Sequence, residues 1–263
     1  MGLVKEEAII LSTRPFGESD KIVRFYTLGS GKLTGIAKGG KKSQKRFMNT
    51  LESFNCVRIE YFEKATSSMV RIENADLDQS NSGLEKSFRK VCTASFFTEF
   101  VDRLTKEKQK NEHLFHALKV ILHNLKHVEF TVSDILYYEL QMLDFLGYKP
   151  NLATCVQCGK ELADAEKLYF SRERGGTVCL GCSRSLPHRQ YPQGFISRMS
   201  VLDIHGPNGP TGPEGPAGPE GQAGLSRAST GFERLGRQIL EDFVCFHLAV
   251  ELKSYRLLKS IAG

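Results

Sequence analysis

The feature that most constrains this chain is a set of four cysteines in two closely spaced pairs. Residues 155–159 read Cys155-Val156-Gln157-Cys158-Gly159. After 20 intervening residues the second pair follows as Cys179-Leu180-Gly181-Cys182. A two-residue gap lets both sulfurs of a pair reach one ion from a tight turn, and Gly159 lets the backbone curl around them. Four thiolates complete a tetrahedral shell at about 2.3 Å and leave no position open for water or substrate. Two disulfides or a redox dithiol are the competing readings. Both are weaker for two such pairs in a chain with no sign of an oxidising compartment. The expectation is one structural zinc ion held by Cys155, Cys158, Cys179 and Cys182.

The N-terminus, Met1-Gly2-Leu3-Val4-Lys5-Glu6-Glu7, places two acids where a secretory signal would carry an apolar core. No apolar run approaches the roughly 20 residues that span a bilayer. A cytoplasmic location is expected, and there thiols stay reduced and free for metal. Cys56, Cys92 and Cys245 lie within apolar patterns and are expected in the core.

A chain of 263 residues is long enough for two modest domains. Residues 3–77 read as β structure. Val4–Ser12, Asp20–Leu28 and Lys32–Lys38 are apolar runs parted by turns. In Leu51–Phe62, Val57, Ile59 and Tyr61 alternate with Arg58 and Glu60, the period of a half-buried strand. Ser67–Leu77 supplies a fifth strand. Five short strands in about 75 residues have the dimensions of an OB-fold barrel. Gly31-Lys32 is not a phosphate-binding loop, because Tyr26 and Leu33 occupy positions that such a loop reserves for Gly and Ser or Thr. A hairpin turn with a lysine at its edge is expected there instead.

Charge is concentrated in the same region. Residues 1–50 hold ten Lys/Arg against four Asp/Glu, an excess as large as the whole chain's +6. The segment Lys38-Gly39-Gly40-Lys41-Lys42-Ser43-Gln44-Lys45-Arg46 carries five cations and no acid between two expected strands. Arg14, Lys21, Arg24 and Lys32 extend the stripe. A solvated loop is the common explanation of such a run, but on an OB-type barrel it points to a nucleic acid backbone. Phe16, Phe25 and Tyr26 are candidates to stack on bases, with core packing expected for at least two of them.

From Ser82 the period becomes helical. Leu84, Phe88, Cys92, Phe96, Phe100 and Leu104 form one apolar stripe, and Leu114, Leu118, Ile121 and Leu125 a second. Thr131-x-x-Asp134 predicts a capping box that opens a third helix running to Gly147. His123 and His127 have ligand spacing but lack a His-Glu-x-x-His setting, so an exposed helix face is expected. Between the cysteine pairs a short hairpin is expected. Glycine then occupies every third position from Gly206 to Gly224, seven times in succession. That is collagen periodicity, and a polyproline-II or disordered linker is expected. Thr230-x-x-Glu233 predicts a second capping box, opening one long helix from Phe232 to Ile261 that packs on the earlier helices. The expected architecture is α+β: an OB-fold nucleic-acid-binding domain at 1–80, then a helical domain at 81–263. The latter carries the zinc module at 150–186 and the Gly-X-Y linker at 206–224.

The local wording adds a resemblance. Phe16-Gly17-Glu18-Ser19-Asp20 with Ile22-Val23, then Gly31-Lys32 and Ala37-Lys38-Gly39, resembles the N-terminal domain of the bacterial recombination mediator and DNA repair family RecO. Phe145-Leu146-Gly147-Tyr148-Lys149-Pro150 before Cys155-x-x-Cys158-Gly159 is similar to that family's helix-to-zinc junction. Lys253-Ser254-Tyr255-Arg256 is similar to its C-terminal pattern. The resemblance covers the chain apart from residues 206–224. It implies a non-enzymatic protein that binds single- and double-stranded DNA and anneals complementary strands. It further implies contact with the tail of the single-stranded-DNA-binding protein and, with RecR, help in loading RecA, in the cytoplasm at the nucleoid. The family's zinc ligands fall on the four cysteines named above. Its basic barrel positions fall on Lys21, Arg24, Lys32, Lys38, Lys41 and Lys42. Other readings of the residues are a zinc-ribbon adaptor of transcription or RNA metabolism, a zinc enzyme, and a trimeric structural protein. Four thiolates without an open position argue against the enzyme.

Overall fold

Five strands close into a barrel at the start of the chain in the computed structural model, which describes residues 2–43, 45–63, 68–162, 168–192, 194–205 and 221–260. They are β1 (Leu3–Phe16), β2 (Asp20–Thr27), β3 (Gly31–Ala37), β4 (Cys56–Phe62) and β5 (Val70–Gln79). Their order around the barrel is β1-β2-β3-β5-β4, closed by pairing of β4 with β1. The β3–β5 pair is parallel and the others antiparallel. This is the OB-fold expected from the sequence. Ala8, Ile10, Val23, Phe25, Leu33, Val57, Ile59, Tyr61, Val70 and Ile72 fill its interior. The period-2 alternation of β4 is realised, with Arg58 exposed between buried neighbours.

Strand β1 runs four residues past the expected Ser12, and its register shifts between Ile10 and Ser12. Ile9, Ile10 and Leu11 are buried in succession because both faces of the strand are covered here. Ile10 faces the barrel interior. Ile9 and Leu11, outside the interior cluster, belong to the outer side, where α1 (Phe88–Leu104) packs on β1 and β2.

The chain forms two compact units, Met1–Glu129 together with Leu252–Gly263, and Phe130–Glu251. In the first, α1 and α2 (Glu112–His127) are each opened by a side-chain cap. Ser87 accepts from the Lys90 N–H at 3.4 Å, and Asn111 accepts from the Leu114 N–H at 3.0 Å. Phe96, Phe97, Phe100, Leu114, Leu118, Ile121 and Leu125 are fully buried. Each such side chain contributes roughly 1.5–3 kcal/mol by leaving water. A short helix, α7 (Ser254–Ser260), returns to α1. The Tyr255 ring lies 5.2 Å from that of Phe96, and the Glu99 carboxylate accepts from the N–H groups of Lys253 (3.1 Å) and Ser254 (2.8 Å). Lys119 donates to Glu7 at 2.9 Å and Asp78 at 3.3 Å, tying α2 to the barrel.

The second unit begins with α3 (Val132–Phe145), whose capping box forms as the sequence predicts: Thr131 accepts from the Asp134 N–H, and Asp134 from the Thr131 N–H. Gly147, at φ +78°, ends the helix in the left-handed region, with its N–H on Asp144 O and that of Tyr148 on Leu143 O. A three-stranded sheet follows, ordered β7-β6-β8, from β6 (Leu168–Ser171), β7 (Gly176–Val178) and β8 (Arg189–Tyr191). The one-turn helix α4 (Leu180–Ser183) follows β7. Helices α5 (Phe195–His205) and α6 (Gly221–Leu248) both pack on α3.

Several expectations are corrected. Helix α1 starts at Phe88, and Leu84 lies in a preceding 3-10 turn; Phe88 is 66% exposed instead of joining the stripe. Helix α6 starts at Gly221, not Thr230, so the last two glycines of the Gly-X-Y run are helical. Residues 206–220 of that run lie outside the described residues. The long closing helix is two helices: Ala249 turns to φ +51°, and only the part from Leu252 returns to α1. Cys56 and Cys92 are buried as expected, but Cys245 is exposed on α6. His123 and His127 are exposed on α2. Among the described residues no helix is long and apolar enough to cross a membrane.

Candidate nucleic-acid interface and metal centre

The basic run is the connection after β3, and it folds back on the β1–β2 hairpin. The Lys41 N–H donates to Ser19 O at 2.8 Å, and its Nζ donates to Gly17 O at 2.6 Å. Asp20 holds the other side. One of its oxygens accepts from Lys38 Nζ (2.7 Å) and the other from the Gly39 N–H (2.9 Å) and Ser19 Oγ (3.1 Å). The Lys38 hydrogen bond is the main reason that the Asp20 carboxyl is lowered to about 2, with the Gly39 N–H adding to it. Arg46 donates to Lys38 O at 2.8 Å and to Glu73 O at 3.5 Å, with its guanidinium 4.9 Å from the Phe47 ring centre.

Lys21, Lys38, Lys41, Lys42, Lys45 and Arg46 therefore belong to one end of the barrel, beside the hairpin that carries Arg14. Lys21 pairs with Glu52 at 3.1 Å. The side chains of Arg14, Lys42 and Lys45, all exposed residues, have no polar partner among the described residues. They are the cations with least to give up on meeting a phosphate.

Two of the nine expected cations lie elsewhere. Arg24 is exposed on the barrel's outer side and pairs with Asp102 of α1 at 2.8 Å. Lys32 is not at a turn's edge but buried, 8% exposed. Its Nζ donates to the carbonyls of Asp102 and, at 2.5 Å, Thr105, and lies 3.9 Å from an Asp102 carboxylate oxygen. Those carbonyls end α1, where the helix has no N–H donors of its own left to offer them. Burial lowers the Lys32 pKa, opposed by Asp102 and Glu107. It is a helix cap supplied by the barrel. Phe25 and Tyr26 are fully buried, whereas Phe16 is 47% exposed. Sequence reasoning gave Asp20 and Glu52 no role, although Asp20 stands inside the motif that carried the resemblance.

The four cysteines come together in the second unit. Their sulfurs all lie within 4.8 Å of one another, with Cys158 and Cys179 at 3.8 Å. Bonds of about 2.3 Å to the corners of a tetrahedron place sulfurs roughly 3.8 Å apart, so the set fits a tetrahedral metal. The first pair sits in a tight loop in which the Gly159 N–H reaches Cys155 O (2.8 Å) and the Cys155 N–H reaches Lys160 O (2.8 Å). In the second pair, Cys179 precedes α4 and Cys182 lies on it. Asn151 and Val156 hydrogen-bond to the β7 hairpin through Gly175 and Thr177, locking the two halves in register. The approach is so close that a Cβ on Gly176 would lie 2.5 Å from Asn151 O and Val156 Cγ1.

Burial pushes the Cys155 thiol up, but N–H groups of Cys179, Cys158 and Gln157 outweigh it and bring it down to about 6. Cys182 is pushed up to about 12 by its hydrogen bonds with Cys179 and Cys158. Four sulfurs this close hold four negative charges only around a cation.

The two halves of this arrangement also match one family. Residues 1–81 match the family described as "Recombination protein O N terminal", and residues 85–194 match "Recombination protein O C terminal". The DNA repair protein RecO of Thermoanaerobacter sp. (strain X514) is 36% identical over 187 residues, 69% of this chain and 72% of that protein. The DNA repair protein RecO of Syntrophobacter fumaroxidans is 35% identical over 179 residues, 68% of this chain and 71% of that protein. The DNA repair protein RecO of Desulfosudis oleivorans is 30% identical over 264 residues, 97% of this chain and 96% of that protein. With an OB-fold barrel bearing clustered cations, a four-cysteine centre and these matches over both regions, the chain belongs to the RecO family of DNA repair and recombination proteins.

Proposed function

We propose that this protein is a recombination mediator that binds DNA, anneals complementary single strands and, with RecR, assists RecA loading onto DNA coated with single-stranded-DNA-binding protein. It works without catalysing a bond-breaking step, in the cytoplasm at the nucleoid. The observation that carries the reading is the basic end of the barrel, where Lys38, Lys41 and Arg46 are braced by Asp20 and backbone carbonyls while Arg14, Lys42 and Lys45 are left unpaired.

Two strands approaching each other meet phosphate repulsion, which a surface of fixed cations lowers. Base pairing then supplies the driving free energy. Each phosphate contact releases counterions, so each tenfold rise in salt lowers affinity by roughly 0.9 log units per contact on duplex and roughly 0.7 on a single strand. The contacting set is Arg14, Lys21, Lys38, Lys41, Lys42, Lys45 and Arg46, with Arg24 at its margin; Lys32 is left out because its ammonium is engaged with α1. Cys155, Cys158, Cys179 and Cys182 would hold one zinc ion, whose contribution is folding energy.

The test is annealing of complementary oligonucleotides already coated with their binding protein, at moderate salt, with and without this chain. Acceleration that Lys42→Ala with Lys45→Ala weakens is the expected result. Unchanged annealing, with RNA bound in preference to single-stranded DNA, would replace the mediator with an RNA-directed zinc-ribbon adaptor.

A further inference from the structure

Of the barrel's aromatic side chains, Phe25, Tyr26, Phe47 and Tyr61 are 2% exposed or less, and Phe54 and Phe62 are half-buried. Phe16 alone among the described barrel aromatics is open to water, at 47%. A lone exposed ring usually needs no explanation. Its neighbours make this one different.

Phe16 ends β1 directly opposite Asp20 in the ladder, and Asp20 is the carboxylate that fixes Lys38 and Gly39. The carbonyl of the next residue, Gly17, accepts from Lys41 Nζ at 2.6 Å. Arg14 lies two residues earlier, hence on the same face of the strand, exposed and with no polar partner for its side chain among the described residues. Of the acids at this tip, Asp20 is taken up by Lys38, and Glu18 is exposed. An aromatic face thus sits among three cations, the combination by which sequence-tolerant single-strand sites hold backbone and bases at once.

We infer that Phe16 is a stacking platform for an unpaired base, so that the basic end of the barrel distinguishes single-stranded from double-stranded DNA. This rests on the DNA-binding reading above. In a duplex the bases are stacked on each other and cannot reach the ring without unpairing. In a single strand anchored by its phosphates, a splayed base covers the ring. The cations serve both forms of DNA, and the ring serves one.

The chain contains no tryptophan, so Phe16→Trp introduces a single reporter. Its fluorescence is expected to be quenched by a single-stranded oligonucleotide, and not by an abasic strand of the same length at saturation. Phe16→Ala is expected to weaken single-strand binding about tenfold, within the range found for base–aromatic stacks. Duplex affinity and the salt slope should stay as they were. Phe16→Leu, which keeps apolar bulk without a π face, should behave like the alanine variant. Unchanged single-strand affinity in Phe16→Ala, while Lys42→Ala still weakens it, would overturn this inference and leave the DNA-binding reading standing. Equal quenching by abasic and normal strands would overturn it too. If Lys42→Ala with Lys45→Ala also left DNA binding untouched, the reading beneath it would fall.

Discussion

Replacing Lys32 by methionine separates a structural lysine from the DNA-facing ones. The ammonium makes two hydrogen bonds, to the carbonyls of Asp102 and Thr105, at the end of α1. A charge-assisted bond contributes about 1.5–3 kcal/mol net, and a cation at a helix C-terminus about 0.3–1 kcal/mol. Against these stands the cost of desolvating the charge, visible in the lowered Lys32 pKa, which methionine removes together with the bonds. The balance is a loss of about 2 kcal/mol. For a body of this size that is a Tm decrease of roughly 4–8 °C. Thermal melting followed by circular dichroism would measure it. Fluorescence anisotropy with labelled single strands, well below the melt, would measure binding. Affinity and salt slope should match those of the unaltered chain to within about twofold. An unchanged Tm with weakened DNA binding would refute the reasoning, since it would place the ammonium on DNA and not on the helix end.

Three further outcomes are expected. Metal analysis should find one zinc per chain, and Cys155→Ala should lose it. That variant should open residues 130–251 to proteolysis before 1–129, at a cost of several kcal/mol; full metal content or unaltered proteolysis would sink the assignment. The Asp20 carboxyl, lowered to about 2 from a usual value near 4, contributes stability that is complete above about pH 4 and is lost as pH falls through about 2. Carboxyl NMR titration should give a midpoint near 2, and stability curves of the unaltered chain and Asp20→Asn should converge in that acid window; a midpoint near 4 would show that Lys38 does not hold it. Gly176→Val should destabilise the cysteine module by about 2–3 kcal/mol, because its branched side chain begins where Asn151 O already stands. A melt shifted by less than a degree would contradict the close approach.

Local patterns announced local structure. Alternation in Val57–Tyr61 gave a strand, the Thr131–Asp134 spacing gave a cap, and two Cys-x-x-Cys pairs gave a centre whose sulfurs do converge. What stayed hidden depended on partners far away in sequence. Lys32 reads as one more cation in a basic stretch until α1, some 70 residues later, offers its carbonyls. The break near Ala249 has neither glycine nor proline to mark it; Glu99 fixes the new helix start, 154 residues away from Lys253. Of the nine expected DNA contacts, seven gather at one end because Asp20 and Gly17 pull the loop onto the hairpin, a connection that composition cannot carry.

The return of α7 to α1 has a temporal consequence. The first unit is discontinuous in sequence, with all of Phe130–Glu251 made between its two parts. On a translating ribosome the barrel can close early, but α1 waits with the surface meant for Tyr255 uncovered until the whole second unit has been synthesised. A chain truncated near residue 250 would keep all four clustered cysteines and every cation expected to meet DNA, and still emerge with an unfinished helical layer beside its barrel. Loss of function from such a truncation would then report a defect of maturation and not of DNA contact.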